Sequence, residues 1–69
     1  MTPLLLRHFW SAVEETQTNL ILNLDDNTLI QSLLRQIHQA QSLDGTELDA
    51  LSDYIQTKLP LIRDLAEGR

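Results

Sequence analysis

Leucine dominates this sequence, and its spacing constrains the fold more than any other feature. Fifteen of the 69 residues are Leu, whereas Val, Phe, Tyr and Trp occur once each. Leucine favours helices, while β-branched and aromatic residues favour strands. The apolar residues recur at intervals of three and four, which places them on one face of a helix. Only two Gly and two Pro interrupt this pattern. The sequence therefore predicts an all-α fold, a small up-down bundle of three helices.

Helix 1 is predicted to begin at Thr2-Pro3 and to extend over about 3–22. Threonine is a good N-cap, and proline suits the first helical position because its missing N–H would have no partner there. The residues predicted to face the core are Leu5, Leu6, Phe9, Val13, Thr16 and Leu20.

Helices 2 and 3 are predicted to begin with one shared pattern, a leucine, an aspartate and a second leucine four residues after the aspartate. Asp25 and Asp44 are the expected N-caps, and Glu47 completes a capping box with Asp44. We predict helix 2 at about 26–41 and helix 3 at about 45–59. The core residues predicted for these segments and the residues that follow are Leu29, Ile30, Leu33, Leu34, Ile37, Ala40, Leu48, Leu51, Ile55, Leu59, Ile62 and Ala66.

Pro60 leaves two interpretations of the last segment. Proline inside a helix removes a backbone hydrogen bond and clashes with the preceding turn. The apolar spacing nevertheless continues through it to Ala66. Residues 60–67 are therefore either a kinked continuation of helix 3 or a short fourth helix that begins at Pro60. Gly68 and Arg69 are expected to fray.

The small size of the chain bears on its stability. Residues 1–69 form one helical-bundle domain, and no cysteine is available for a disulfide. A folded monomer of 7.9 kDa keeps about 4,400 Å² exposed of roughly 11,500 Å² in the unfolded chain, so its core is marginal. Such a chain can gain stability from efficient helix packing or from self-association.

The formal net charge of −5 disfavours several classes of partner. An acidic surface repels nucleic-acid phosphates and anionic lipid headgroups, so we expect no nucleic acid and no membrane as partner. No apolar run approaches the roughly 18 residues that span a bilayer. The N-terminal residues lack the basic segment of a secretory signal, which permits a cytoplasmic location but does not require it.

Two passages resemble a group of known proteins. Residues 5–10, Leu-Leu-Arg-His-Phe-Trp, and residues 59–65, Leu-Pro-Leu-Ile-Arg-Asp-Leu, are similar to small, uncharacterised all-helical proteins of cyanobacteria. The similarity is one of general style over most of the chain. It implies a cytoplasmic setting and carries no motif of known role.

Candidate catalytic and metal-binding residues are few. His8 and His38 are the two histidines, and neither has further donors at a spacing that would complete a metal site. The acidic residues of helix 3, Asp49 and Asp53, are better explained as a solvated face than as a catalytic pair, because no apolar pocket is evident to raise either pKa. The sequence thus predicts no enzyme activity, no cofactor and no metal.

A second apolar stripe on the last helix is the strongest functional candidate. Ala50, Tyr54, Leu61 and Leu65 lie beside the core stripe at spacings of four, seven and four residues. An exposed stripe of this kind is typical of a protein interface, although a redirected helix after Pro60 would instead fold it into the core. Trp10, at the edge of the helix 1 face, is either a lid on the core or an interface anchor.

These features favour a non-enzymatic interaction module that forms a homodimer through helix 3 and acts as an adaptor or regulator. The alternatives are a monomeric module that binds a larger protein, and a small-ligand or metal site near His8 or His38.

Overall fold

The computed structural model describes residues 2–69, which form four helices and no strand. The helices are α1 (Pro3–Glu15), α2 (Thr18–Asn23), α3 (Asp26–Ala40) and α4 (Gly45–Glu67). α1 packs on α3, while α2 and α3 both pack on α4. The prediction of a small all-α helical bundle is confirmed.

The predicted helix starts are all present. Thr2 caps α1 and Pro3 is its first residue. The Asp25 side chain accepts a hydrogen bond from the first turn of α3 at 3.4 Å. Asp44 and Glu47 form the predicted capping box at the start of α4, where each side chain accepts from the other residue's backbone N–H at 2.8 Å and 3.3 Å. These local signals fix where three of the four helices begin.

The Asp25 cap makes a pH-dependent contribution to stability. Hydrogen bonding with the Thr28 side chain, helped by backbone amides, holds the pKa of Asp25 below its ordinary value of 3.8. Because this pKa is lower in the folded state, the stabilisation is complete above the unfolded pKa and is lost as pH falls through the folded pKa. At neutral pH, Asp25→Ala should therefore melt at a lower temperature than the wild type. Thermal melts followed by circular dichroism should show this gap narrowing below pH 3.8; a gap that stays constant with pH would contradict the assignment.

The prediction of one continuous helix over 3–22 is wrong, because α1 ends at Glu15 and α2 begins at Thr18. Thr16 and Gln17 have extended backbones at the break, and the Thr16 hydroxyl donates to the Ala12 carbonyl at 2.6 Å. The break changes the helical phase. Ile21 is fully buried, whereas Leu20, predicted to lie in the core, is 43% exposed.

The last segment is one helix, so a separate helix beginning at Pro60 is not formed. Pro60 lies on the exposed side of α4. Arg69 does not fray as expected, since its guanidinium donates to the carbonyls of Val13 and Thr16, both at 2.9 Å. α4 and the residues after it therefore extend across the α1–α2 break.

One hydrophobic cluster lies between the helices. Its largest fully buried side chains are Phe9, Leu5, Ile21, Leu29, Leu33, Ile37, Leu51, Ile55, Ile62 and Val13. Leu34 and Leu48 are partly buried against it. Ala40, predicted to be in the core, is exposed because it is the last residue of α3.

The accessible surface is 4485 Å², close to the roughly 4,400 Å² that scaling gives for a folded monomer of this mass. None of the helices within residues 2–69 combines the length and the hydropathy that crossing a bilayer requires.

Candidate interaction surface

Three aromatic side chains, two from α1 and one from α4, meet at one edge of the core. The Phe9 ring lies edge-to-face against Trp10 and Tyr54, with ring centroids 4.8 Å and 5.5 Å away. The Trp10 indole Nε1–H donates to the Tyr54 hydroxyl oxygen at 3.2 Å. Because Phe9 is fully buried and its two neighbours are half-buried, the cluster covers one edge of the core. Trp10 and Tyr54 thus have a packing role within the monomer.

The α4 flank, which we define as Ala50, Tyr54, Leu61 and Leu65, extends from this cluster along α4. At 100° per residue, the four residues fall within about 60° of one another around the helix. Ala50 is exposed and Tyr54 half-buried. Leu61 and Leu65 are 44% and 49% exposed. The structure therefore draws the tyrosine of the predicted stripe towards the core and leaves its two leucines on the surface.

A cation lies at the edge of the α4 flank. The Lys58 Nζ is 5.8 Å from the centroid of the Tyr54 ring, within the range of a cation–π contact. This contact orients the tyrosine ring and places a positive charge one turn before Leu61. The two exposed leucines of the α4 flank thus have a basic group beside them.

Leucines outside the α4 flank are also exposed. Leu20 and Leu22 of α2 are 43% and 38% exposed, and Leu4 of α1 is 55% exposed. The sequence holds the signal for the first two, since a run of three apolar residues, Leu20-Ile21-Leu22, cannot all face one core from a helix of six residues. The predicted helix over 3–22 includes this run, so it does not separate α2 from α1.

The two histidines lie in separate grooves. His8 lines a groove of about 400 Å³ between α1 and α3, together with Glu15. His38 lines one of about 350 Å³ between α3 and α4, and its Nδ1 accepts a hydrogen bond from the Leu43 backbone N–H at 3.2 Å. Within residues 2–69 no group of three or more His, Asp or Glu side chains is placed to hold a metal ion. The hydrogen bond from the Leu43 N–H to His38 connects the end of α3 to the residues that follow it.

The acidic side chains of α4 have separate surroundings. Asp44 and Glu47 are engaged in the capping box, while Asp49 and Asp53 are exposed. The ion pair described within residues 2–69 joins Arg63 to Asp26 at 2.8 Å. It lies between α4 and the start of α3, away from the α4 flank.

No protein-family model matches this chain. No curated protein and no solved structure is significantly similar to it. Because no similar protein suggests a role, a functional proposal rests on the structure itself. Its basis is the α4 flank, where Leu61 and Leu65 are exposed on the same face of one helix.

Proposed function

We propose that this protein is a non-enzymatic interaction module that forms a homodimer through the α4 flank and acts as an adaptor or regulator of other proteins. The observation that carries the proposal is the exposure of Leu61 and Leu65, 44% and 49%, one turn apart on the longest helix. Exposed apolar side chains that adjoin one another are typical of an interface.

The geometry of the flank suits a two-fold axis. In an antiparallel pair of α4 helices, an axis beside Thr57 and Lys58 places Leu61 of one copy against Tyr54 of the other and Leu65 against Ala50, so that the whole flank lies in the interface. Such an interface is self-complementary, as two-fold symmetry requires. Trp10 packs against Tyr54 of the flank and donates a hydrogen bond to its hydroxyl, which holds the tyrosine in place. A stable interface of ordinary size covers about 800 Å² per partner, so side chains beside the α4 flank must contribute to it as well.

Substituting one leucine of the flank tests this proposal. Leu61→Asp should weaken the dimer by about 100-fold or more, because each copy loses a buried leucine and gains a buried charge. Tyr54 is less suitable for the purpose, since its hydroxyl and ring also hold Trp10 and Phe9 within the monomer. Light scattering over a concentration series should give twice the chain mass of 7.9 kDa for the wild type and 7.9 kDa for the variant.

The matched control is Leu4→Asp, which places the same charge at a leucine exposed on α1. It should dimerise like the wild type. If the wild type keeps the mass of one chain up to its solubility limit, or if Leu4→Asp and Leu61→Asp weaken the dimer equally, the homodimer through α4 is contradicted.

A further inference from the structure

The break between α1 and α2 consists of two residues that do not themselves end a helix. Thr16 and Gln17 have extended backbones, with φ/ψ of −76°/135° and −60°/138°. Neither is glycine or proline, and glutamine is a good helix former. The sequence on both sides is helical. The break is therefore imposed by packing more than by local sequence.

Side chains from other helices stabilise the break. Arg69 donates to the carbonyl oxygens of Val13 and Thr16, which the break leaves without the i+4 N–H partner that a continuous helix would supply. Gln36 of α3 donates to the Thr16 hydroxyl at 3.4 Å. The bent form thus depends on groups that α3 and the residues after α4 bring to the hinge.

A straight form of the same segment would replace the hydrogen bonds lost at the hinge with bonds within the helix and with new apolar contacts. A continuous helix over 3–23 would be about 31 Å long and would bond the backbone groups at the hinge within the helix. At 100° per residue, Leu20 would lie within about 20° of Phe9 and Val13, while Ile21 would lie roughly a third of a turn from Phe9. Leu20, 43% exposed in the bent form, would then extend the apolar face of α1.

We infer that Thr16–Gln17 is a hinge at which α1 and α2 can join into one helix, so that two copies of this chain exchange α1. In the exchanged dimer, α2 keeps Ile21 against its own α4. α1 of each copy occupies the partner's α1 site, on the partner's α3 and against the partner's Tyr54. The contacts of α1 are reproduced between copies, and Leu20 is buried at the new junction. A short connection between two packed elements favours this kind of exchange.

This dimer differs from the one proposed through the α4 flank and does not depend on it. Exchange requires α1 to leave its site in the core, so the exchanged dimer should form slowly, during refolding at high protein concentration, and persist on dilution. A dimer held only by exposed leucines should dissociate on dilution. The two forms are therefore separable by size-exclusion chromatography after dilution.

Chemical crosslinking distinguishes exchange from surface association. The chain has no cysteine, so two can be introduced at Ser11 of α1 and Gln39 of α3, which line one groove. A short bifunctional maleimide should join them within one chain in the monomer. In the dilution-resistant dimer it should join two chains, giving a covalent dimer on a denaturing gel. A dilution-resistant dimer in which the crosslink stays within each chain would overturn the exchange.

Two hinge variants give opposite expectations. Gln17→Pro fits the bent form. The φ of Gln17 is already −60°, as proline requires, and its N–H has no acceptor within residues 2–69. Thr16 is extended, as the residue before a proline prefers to be. In the straight helix this proline would be interior, so the yield of the dilution-resistant dimer should fall by about 100-fold. Gln17→Ala combined with Arg69→Ala favours the straight form and should raise that yield severalfold. Circular dichroism verifies that each variant is folded.

The outcomes are decisive in either direction. Loss of the dilution-resistant dimer in Gln17→Pro and its increase in the double variant would support the hinge. An unchanged yield in Gln17→Pro, or no such dimer even in the double variant, would overturn it. Leu61→Asp should leave the exchanged dimer intact, which separates this test from that of the α4 flank.

Discussion

Phe9→Ala is expected to lower the free energy of unfolding by about 3–5 kcal/mol, the usual cost of replacing a buried phenylalanine with alanine. Phe9 is fully buried, and its ring contacts both Trp10 and Tyr54. The substitution removes the ring that lies between α1 and the aromatic edge of α4. A domain of 69 residues has a total stability of only about 3–10 kcal/mol. The variant should therefore lose most of its cooperative folding.

Urea denaturation followed by circular dichroism measures this effect. Leu4→Ala is the control, because Leu4 lies on the same helix and is 55% exposed; its effect should stay within about 0.5 kcal/mol. A loss below about 1 kcal/mol for Phe9→Ala would mean that the ring is not in a packed core.

Arg63→Met is expected to lower the free energy of unfolding by about 2 kcal/mol, in the range for hydrogen bonds made by a charged group. The Arg63 guanidinium donates to the carbonyl oxygens of Ile21 and Leu24 at 2.8 Å and 3.0 Å. These carbonyls lie at the C-terminal end of α2, where no following helical turn supplies an N–H donor. Methionine keeps most of the apolar stem, so the loss reports the head group.

The comparison with Asp26→Asn identifies which contact of Arg63 matters. Asp26 pairs with Arg63 at 2.8 Å, but its side chain is 72% exposed. Exposed ion pairs contribute little, so Asp26→Asn should cost less than about 1 kcal/mol in the same urea experiment. Equal losses for Arg63→Met and Asp26→Asn would show that the ion pair, and not the capping of α2, holds α4 to this end of the bundle.

The helix starts and two of the apolar faces could be predicted from the sequence because their causes are local. Asp25, and Asp44 with Glu47, satisfy backbone N–H groups within their own first turn. The stripe from Leu51 to Ala66 is set by the helical repeat alone, and it continues through Pro60 because that residue faces outward. These features do not depend on how the helices pack.

The break after Glu15 could not be predicted in the same way because its causes are distant. The hydrogen bonds that hold it come from Gln36 and Arg69, 20 and 53 or more residues away from their partners. Only the hydroxyl of Thr16 acts locally. Without the break, the phase of helix 1 places Leu20 in the core, whereas the structure buries Ile21.

The candidate interface shows the same division between local and distant causes. The position of Leu61 and Leu65 beside the core stripe follows from helical spacing. The half-buried state of Tyr54 does not, because it depends on the hydrogen bond from Trp10, which is 44 residues away in sequence. Sequence therefore placed the flank on α4, and packing decided which of its side chains remain available to a partner.

The central claim, that Leu61 and Leu65 contact a second copy of the chain, is tested most directly by amide resonances measured over a dilution series. Dimerisation through the α4 flank predicts concentration-dependent chemical shifts that are concentrated between Tyr54 and Leu65 and at Trp10, and that are absent in Leu61→Asp. Shifts that do not change with concentration, or that cluster at exposed residues of α3 such as Gln31, Arg35 and Gln39, would contradict it.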